Sequence, residues 1–417
     1  MREGILQFVA IKKYWDLIIT VFFKLSGTAV GAVSAIVLAW GYGDEGVGVF
    51  AMLRTLPLLL GMLTDLGVSH SYSFLINRKG YPLNSVVITL VVAAACSGVV
   101  QIAIGVSIGE WVAGKFGLGL GTESLLWCSI LAPVMMVQVH VVNLLRARDD
   151  LRSANIFLVG CELIILAGVL FACIYSKGSV DFIAYSLSIS SLCIFMLCCL
   201  LIARQMDWGA GQFLTGYLLE GVKFGIRSQL GNLMQVMSYR FDQLVIGALL
   251  GVSSLGVYVV ASKVAELFKV FSLALVFVLE PKISRMDLGS ARSYVIRSVG
   301  IVYLMNFVVV LAGFLIGPII IELAFDEWAK EAVMPFFFLL SGLIFVGGNG
   351  LFAAYNLGVG RPGLNSYAIM VGMVSSVALN FLLVPVLGLN GAALSSAIAC
   401  LLTAFCYFYT FKRQGAG

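Results

Sequence analysis

EGVKFGIRSQLGNLMQVMSYRFDQLVIGALLGVSSLGVYVVASKVAELFKVFSLALVFVLE, residues 220–280, is the stretch on which the reading of this chain turns. It contains two long apolar runs joined by GVSSLG. The first carries Arg227, Arg240 and Asp242, and the second Lys263, Glu266 and Lys269. A charge at the centre of a lipid-facing helix costs about 2.5–3.5 kcal/mol, so if these runs cross a bilayer the six groups must face protein or water. At about 100° per residue, Arg227, Gly231, Gln235, Ser238 and Asp242 fall within about 80° of one another, a polar stripe on one helix face. Arg240 lies off that stripe. Lys263, Glu266 and Lys269 spread over about 120°, with the carboxylate between the two ammonium groups. Two readings stand: a structural ion pair with one additional cation, or a lined pathway, the default for ionisable groups inside membranes.

The rest of the chain favours the membrane. Of its 417 residues 61% are hydrophobic and only 11% charged, with a mean hydropathy of +1.04, whereas soluble domains carry about 25% charge. The composition excludes a soluble enzyme or a nucleic-acid binder. The nine cysteines lie in or beside apolar runs and read as packing residues. No CxxC or His-rich spacing exists, so no metal site is expected. Arg2, Lys12 and Lys13 precede an apolar run, Leu17 to Trp40, that is too long for the core of a signal peptide.

Counting apolar runs of about 20 residues gives twelve spans, at 17–40, 48–76, 83–108, 124–145, 154–176, 180–203, 222–249, 254–280, 294–321, 332–357, 364–386 and 391–411. The positive-inside rule tests this count. With the N-terminus cytoplasmic, the inside segments hold Arg2, Lys12, Lys13, Arg78, Lys79, Arg146, Arg148, Arg152, Arg204, Lys282, Arg285, Arg292, Arg297, Arg361, Lys412 and Arg413. The outside segments hold only Lys115, Lys177 and Lys330. One missed span would scramble this alternation, so both termini are expected in the cytoplasm.

A half-length repeat supports the same architecture. Gly48-Val49-Phe50 lies 208 positions before Gly256-Val257-Tyr258, and Arg148 to Asn155 corresponds in place to Gly360 to Ser366. The expected fold is an all-α polytopic membrane protein. Its twelve transmembrane helices form two pseudo-symmetric six-helix lobes around a central cavity, residues 1–208 and 209–417, related by an axis along the membrane normal. The repeat places a cation in both halves, Arg54 and Lys263.

Further polar groups lie inside the spans. Thr20, Lys24, Gly27, Thr28 and Gly31 share a face, where the small residues also suit close helix packing. Arg54 and Asp65 are about 16 Å apart along one helix, too far for a direct salt bridge. Glu162 is mid-span, and a buried protonated carboxyl is its alternative reading. Seven intramembrane cations (Lys24, Arg54, Lys223, Arg227, Arg240, Lys263, Lys269) face Asp65, Glu162, Asp242, Glu266 and Glu280, an excess that favours an anionic occupant. Pro57 and Pro133 are expected to kink their helices. The links are short and leave no room for a catalytic domain outside the membrane.

FGIRSQLGNLMQVMSYRFDQLVIGALLGVSSLGVYVVASKVAELF (residues 224–268), followed by LEPKIS (279–284), resembles the seventh and eighth helices of lipid-linked oligosaccharide flippases. These are the O-antigen-type members of the multidrug/oligosaccharidyl-lipid/polysaccharide exporter superfamily. The resemblance implies a V-shaped pair of lobes around a largely cationic cavity that opens alternately to each side of the bacterial inner membrane. It implies as cargo an oligosaccharide on undecaprenyl pyrophosphate, moved from cytoplasmic to periplasmic leaflet for lipopolysaccharide-type assembly. Expected partners are this lipid-linked substrate, membrane lipid, and the polymerase and ligase of the same assembly route; nucleic acid is not one. Arg227, Arg240, Asp242 and Lys263 stand where the family often has lumen charges. Glu280, before Pro281, departs from the usual apolar residue.

The substrate-binding set expected from this reading is Lys24, Arg54, Arg227, Arg240, Lys263 and Lys269. Asp242, Glu162, Glu266 and Asp65 are the candidates for coupling to protons or sodium. No catalytic residue and no cofactor is expected. Two other classes compete. A multidrug exporter, coupled antiporter-fashion to an ion, needs an acidic and aromatic cavity for organic cations, against the cationic balance here. An integral-membrane polymerase or acyltransferase needs a paired acid and base or a histidine site, and neither His70 nor His140 has an acidic partner nearby in sequence.

Overall fold

Within a bilayer core every backbone N–H and C=O must be satisfied inside the chain, and the helix does this segment by segment. The computed structural model describes residues 2–175, 178–206, 211–283, 286 and 288–414, with side chains except at 2–21, 274, 275, 277, 278, 280–282 and 288. The side chains of Arg2, Lys12, Lys13, Thr20, Glu280 and Lys282, and residues Lys177 and Arg285, therefore lie outside what is described.

Among the described residues all regular structure is helical: α1 Arg2–Asp65, α2 Leu83–Phe116, α3 Thr122–Cys128, α4 Leu131–Ala147, α5 Leu151–Tyr175, α6 Asp181–Gln205, α7 Thr215–Leu249, α8 Val252–Ile283, α9 Leu288–Ala324, α10 Val333–Gly358 and α11 Gly363–Arg413. Among the described residues eight helices are long and apolar enough to cross a membrane. Two of those eight, α1 and α11, are each broken by a glycine in the left-handed region, Gly43 (φ 65°) and Gly388 (φ 58°). The charged α7 and α8 are outside the eight but are as long as the others. The protein is an all-α polytopic membrane protein.

The helix ends differ from the sequence reading in instructive places. The span expected over 48–76 stops at Asp65. Leu66 (φ 51°) and Gly67 (φ 80°) turn the chain left-handedly, and the Asp65 carboxylate accepts the Ser69 N–H and hydroxyl. A short 3-10 turn (Val68–His70) and a widened π turn (Phe74–Arg78) follow. The backbone keeps helical angles through Pro57. At Pro133 the expected interruption becomes a break between α3 and α4 at Ser129 and Ile130, because proline offers no N–H to the carbonyl four residues back.

The chain forms two compact units, 1–41 with 53–233 and 42–52 with 234–417. In the first, α4 packs on α2, α5 and α6, and α5 packs on α6. In the second, α10 packs on α8, α9 and α11, over a core that includes Val295, Val302, Leu351, Phe352 and Tyr407. The repeat anchors meet here. A Cβ on Gly48 would overlap the Val252 carbonyl, and one on Gly256 would overlap the Asp44 carbonyl. Residues 44 and 252 carry the same 208-residue offset as 48 and 256. The Gly-Val-aromatic match thus marks a reciprocal helix crossing that no larger residue would permit.

Candidate functional site

The charged residues of α8 project from a helix whose other face carries Val257, Val260, Ala261, Val264 and Ala265, all buried. That packing fixes Lys263, Glu266 and Lys269 on the opposite side. Lys263 Nζ donates to Glu266 Oε2 at 2.8 Å, and Arg240 of α7 approaches Glu266 Oε1 at 3.9 Å. Lys269 Nζ sits 4.1 Å from the ring centroid of Tyr239, a cation–π contact, and its charge also acts on Glu266. The Lys263, Glu266 and Arg240 side chains remain 24%, 33% and 33% exposed. Three cations thus share one carboxylate in a half-buried setting, where a further anion finds charge and donors already in place.

Asp242 is placed differently from the stripe that sequence periodicity suggested. Arg227 and Gln235 are exposed, whereas Asp242 is buried. Its carboxylate accepts the hydroxyl of Tyr258, the Ser396 hydroxyl at 3.1 Å and the Gln243 N–H at 2.7 Å. The helical wheel presumes one environment along the whole of α7, but its residues through Leu233 pack in the first unit and those beyond in the second.

In the first unit Arg54 and Glu162 form a bidentate pair, at 3.1 and 2.6 Å, with side chains 30% and 25% exposed. Lys24 is exposed, its carbonyl accepting the Thr28 hydroxyl. Asp65 is buried and accepts His140 Nε2–H at 3.0 Å, and the Tyr72 hydroxyl lies 3.1 Å from His140 Nδ1. The structure therefore joins Arg240, Lys263, Glu266 and Lys269, and separately pairs Arg54 with Glu162. Asp65 and Asp242 occupy two further buried groups, and Lys24 and Arg227 lie on exposed surface.

Sequence reasoning passed over Tyr239, Tyr258, Ser396, Tyr72 and His140. His140 was legible in principle as an ionisable side chain inside an apolar run. Its acidic partner is Asp65, 75 positions away, which no local spacing reveals. Tyr258 stood in the repeat anchor itself, read there only as an aromatic.

The sequence family described as polysaccharide biosynthesis protein matches residues 43–333. No curated protein sequence matches the chain. Among solved structures it is similar to the lipid II flippase MurJ in an inward closed conformation, with a TM-score of 0.80 and 14% identity over 94% of this chain and 87% of that one. An inward-facing multidrug resistance MATE family transporter of the MOP superfamily has a TM-score of 0.75 and 16% identity, over 93% of this chain and 94% of that one. A MOP superfamily transporter from Pyrococcus furiosus, described as having a binding pocket of reverse polarity, has a TM-score of 0.61 and 16% identity over 96% and 95%. At these identities the likeness establishes a common fold.

Proposed function

The chain belongs to the polysaccharide biosynthesis protein family and carries the fold of MOP superfamily transporters; from this premise we propose that it is a flippase for a lipid-linked oligosaccharide. Its cargo is an oligosaccharide on undecaprenyl pyrophosphate, carried from the cytoplasmic to the periplasmic leaflet of the bacterial inner membrane by alternating access, with both termini cytoplasmic. The observation that carries this reading is the gathering of Arg240, Lys263 and Lys269 around the single carboxylate of Glu266. A pyrophosphate brings several anionic oxygens, and Arg240 offers a planar fork that suits them while the two lysines act as point charges. Even with Asp242 ionised, positive charge is in excess there. Lys24, Arg54 and Arg227 are the secondary cations of this reading. Asp242 is its first coupling carboxylate for protons or sodium, with Glu162, Glu266 and Asp65 after it.

The test is to delete the gene in its host and analyse lipid-linked saccharides by leaflet. Accumulation on the cytoplasmic face, relieved by the wild-type gene, is the expected result. Normal saccharide export combined with new sensitivity to organic cations would replace the flippase with a drug exporter.

A further inference from the structure

Two adjoining features of the first unit point to a function that the cation cluster does not supply. One is the buried group Asp65, His140 and Tyr72, in which the His140 and Tyr72 side chains are almost wholly shielded from solvent. The other is the irregular segment 66–81, which binds the N-terminal half of α7 along its length. Gly67 and Gly225 meet backbone to backbone, Gly221 packs on Ser71, and Phe74 stacks on Phe224 with centroids 4.2 Å apart. Asn232 bonds His70 at 3.0 Å, and Tyr81 stacks on Tyr217 at 4.1 Å.

The hydrogen-bond distances of the buried group accommodate a neutral ring, in the following arrangement. A Tyr72 hydroxyl that donates to Nδ1 requires a neutral ring with its proton on Nε2, and that N–H donates to ionised Asp65, which also accepts from Ser69. On the ring, a second proton can enter only at Nδ1. The phenol oxygen can then accept, but its own hydrogen loses the acceptor it had, inside a buried site where an orphaned donor is costly. The strain falls on Tyr72, and Tyr72 belongs to the segment that holds α7.

We propose that Asp65, His140 and Tyr72 are a proton-binding site, and that a proton taken up at His140 Nδ1 releases α7 from segment 66–81. The polar and charged groups contributed by α2, α4, α7 and the far end of the segment are these. On α4, Arg146 acts on His70 from beyond it. Its neighbour α2 presents neutral Gln101, bonded to Thr64. From α7 come Gln229 and Asn232, neither of which titrates, while Lys223 and Arg227 are exposed. At the far end of the segment Glu220 is paired with Lys79. His140 is thus the ionisable base that touches Asp65 directly. The proposal uses the transporter reading only to give the movement a purpose, since the site itself is measured without cargo.

The chain has two histidines, so full-length protein in lipid nanodiscs, labelled with ¹⁵N-histidine, gives two sets of ring signals, assigned with His70→Gln. Docking is read from disulfide formation between Ser71→Cys and Gly221→Cys in a cysteine-free background. An added Cβ at Gly221 lies 3.4 Å from Ser71 Cβ, close to the range of a disulfide. Between pH 8 and 5 the His140 nitrogens should shift, and cross-linking, normalised to the same pair in His140→Gln, should fall about tenfold. Tyr72→Phe moves the orphaned donor off segment 66–81 and onto His140 Nδ1–H of α4, so the ring signals should still respond to pH while docking becomes independent of it. Ring signals that stay fixed while docking changes overturn the proposal. So does docking that ignores pH while His140 titrates, or a Tyr72→Phe variant that still undocks. If His140→Gln does not fold, Asp65→Asn carrying the same cysteine pair serves as the normalising variant. A cargo other than a lipid-linked saccharide would leave all these results unchanged.

Discussion

Glu162 and Glu266 are each half-buried carboxylates on long helices, yet they do opposite things to their surroundings. Glu162 accepts two hydrogen bonds from the Arg54 guanidinium, one carboxylate engaging one cation through a bidentate fork. Glu266 is spread over Lys263 at 2.8 Å and Arg240 at 3.9 Å, with Lys269 near enough to act on it. The first arrangement stabilises a fold and offers little to an incoming anion. The second holds cations apart by a minimum of negative charge and leaves them with donors to spare. Counting intramembrane charges along the chain cannot make this distinction; the partners must be known.

The sharpest way to break the contrast is charge reversal at the two sites. Arg240→Glu or Lys263→Glu should lose flipping activity by on the order of a hundredfold per unit of folded protein. Arg240→Ala should lose less, and Arg240→Lys should keep partial activity because charge survives without the bidentate fork. Losses that track protein abundance alone would reassign the cluster to structure. Arg227, exposed on α7, should respond more weakly to the same series.

Neutralising the two carboxylates should separate the sites again, with a smaller effect. Glu162→Gln removes the carboxylate charge paired with Arg54 and should cost about 1–2 kcal/mol of stability, reduced from the value for fully buried pairs because both side chains retain solvent contact. Glu266→Gln should cost less stability, since the amide oxygen can still accept the Lys263 hydrogen bond, but should slow cargo release by strengthening the positive field. Thermal unfolding in detergent, alongside single-turnover flipping in proteoliposomes, reads both. Equal destabilisation by the two changes would remove the distinction.

How much of this was written in the sequence can be argued residue by residue. Apolar length and the run of lysines and arginines give the helical membrane class, because insertion energetics act locally on each segment. The 208-residue echo at Gly48 and Gly256 was legible as a match, and its cause, a reciprocal close crossing, is visible only in space. Lys263 and Glu266 were readable as neighbours because three residues on one helix face are always adjacent. Arg54 with Glu162, and Asp65 with His140, join residues 108 and 75 positions apart, and helical periodicity carries no information at that range. Asp242 was misplaced for a related reason, as a stripe extrapolated across a helix shared by two packing units.

Asp242 yields a further, subtler prediction within the second unit. Its partners are the hydroxyls of Tyr258 and Ser396 and a backbone amide, none of which carries charge, so within this group it is the protonation of Asp242 that alters the field felt by Arg240. Asp242→Asn keeps the shape and should abolish whatever dependence flipping shows on a proton or sodium gradient, leaving exchange without a gradient within severalfold of wild type. Gradient dependence that survives in Asp242→Asn would transfer coupling to another carboxylate.

The mildest effect is expected at a third carboxylate, Glu220, which lies ahead of the span beginning at residue 222 and is open to water. Lys79 Nζ is 3.1 Å from its Oε2, and the Tyr81 hydroxyl donates to Oε1 at 3.2 Å. The hydrogen bond from Lys79 is the main reason its carboxyl titrates below the ordinary glutamate range, with Tyr81 assisting, and the same carboxylate pushes the Tyr81 phenol upward along with the local loss of water. A carboxyl whose folded value is depressed contributes stability above its unfolded value and loses it as pH falls through the folded one. The docking of α7 on segment 66–81 should therefore gain slightly from this pair at neutral pH and lose that gain only below the ordinary glutamate range. Exposure and salt screening keep the contribution small. Cross-linking of Ser71→Cys with Gly221→Cys, followed from pH 6 to 3 in His140→Gln with and without Glu220→Gln, isolates it. A step below pH 4.5 that vanishes with Glu220→Gln and shrinks in high salt is the expected outcome, whereas a step that persists without Glu220 would assign the acid sensitivity of this contact elsewhere.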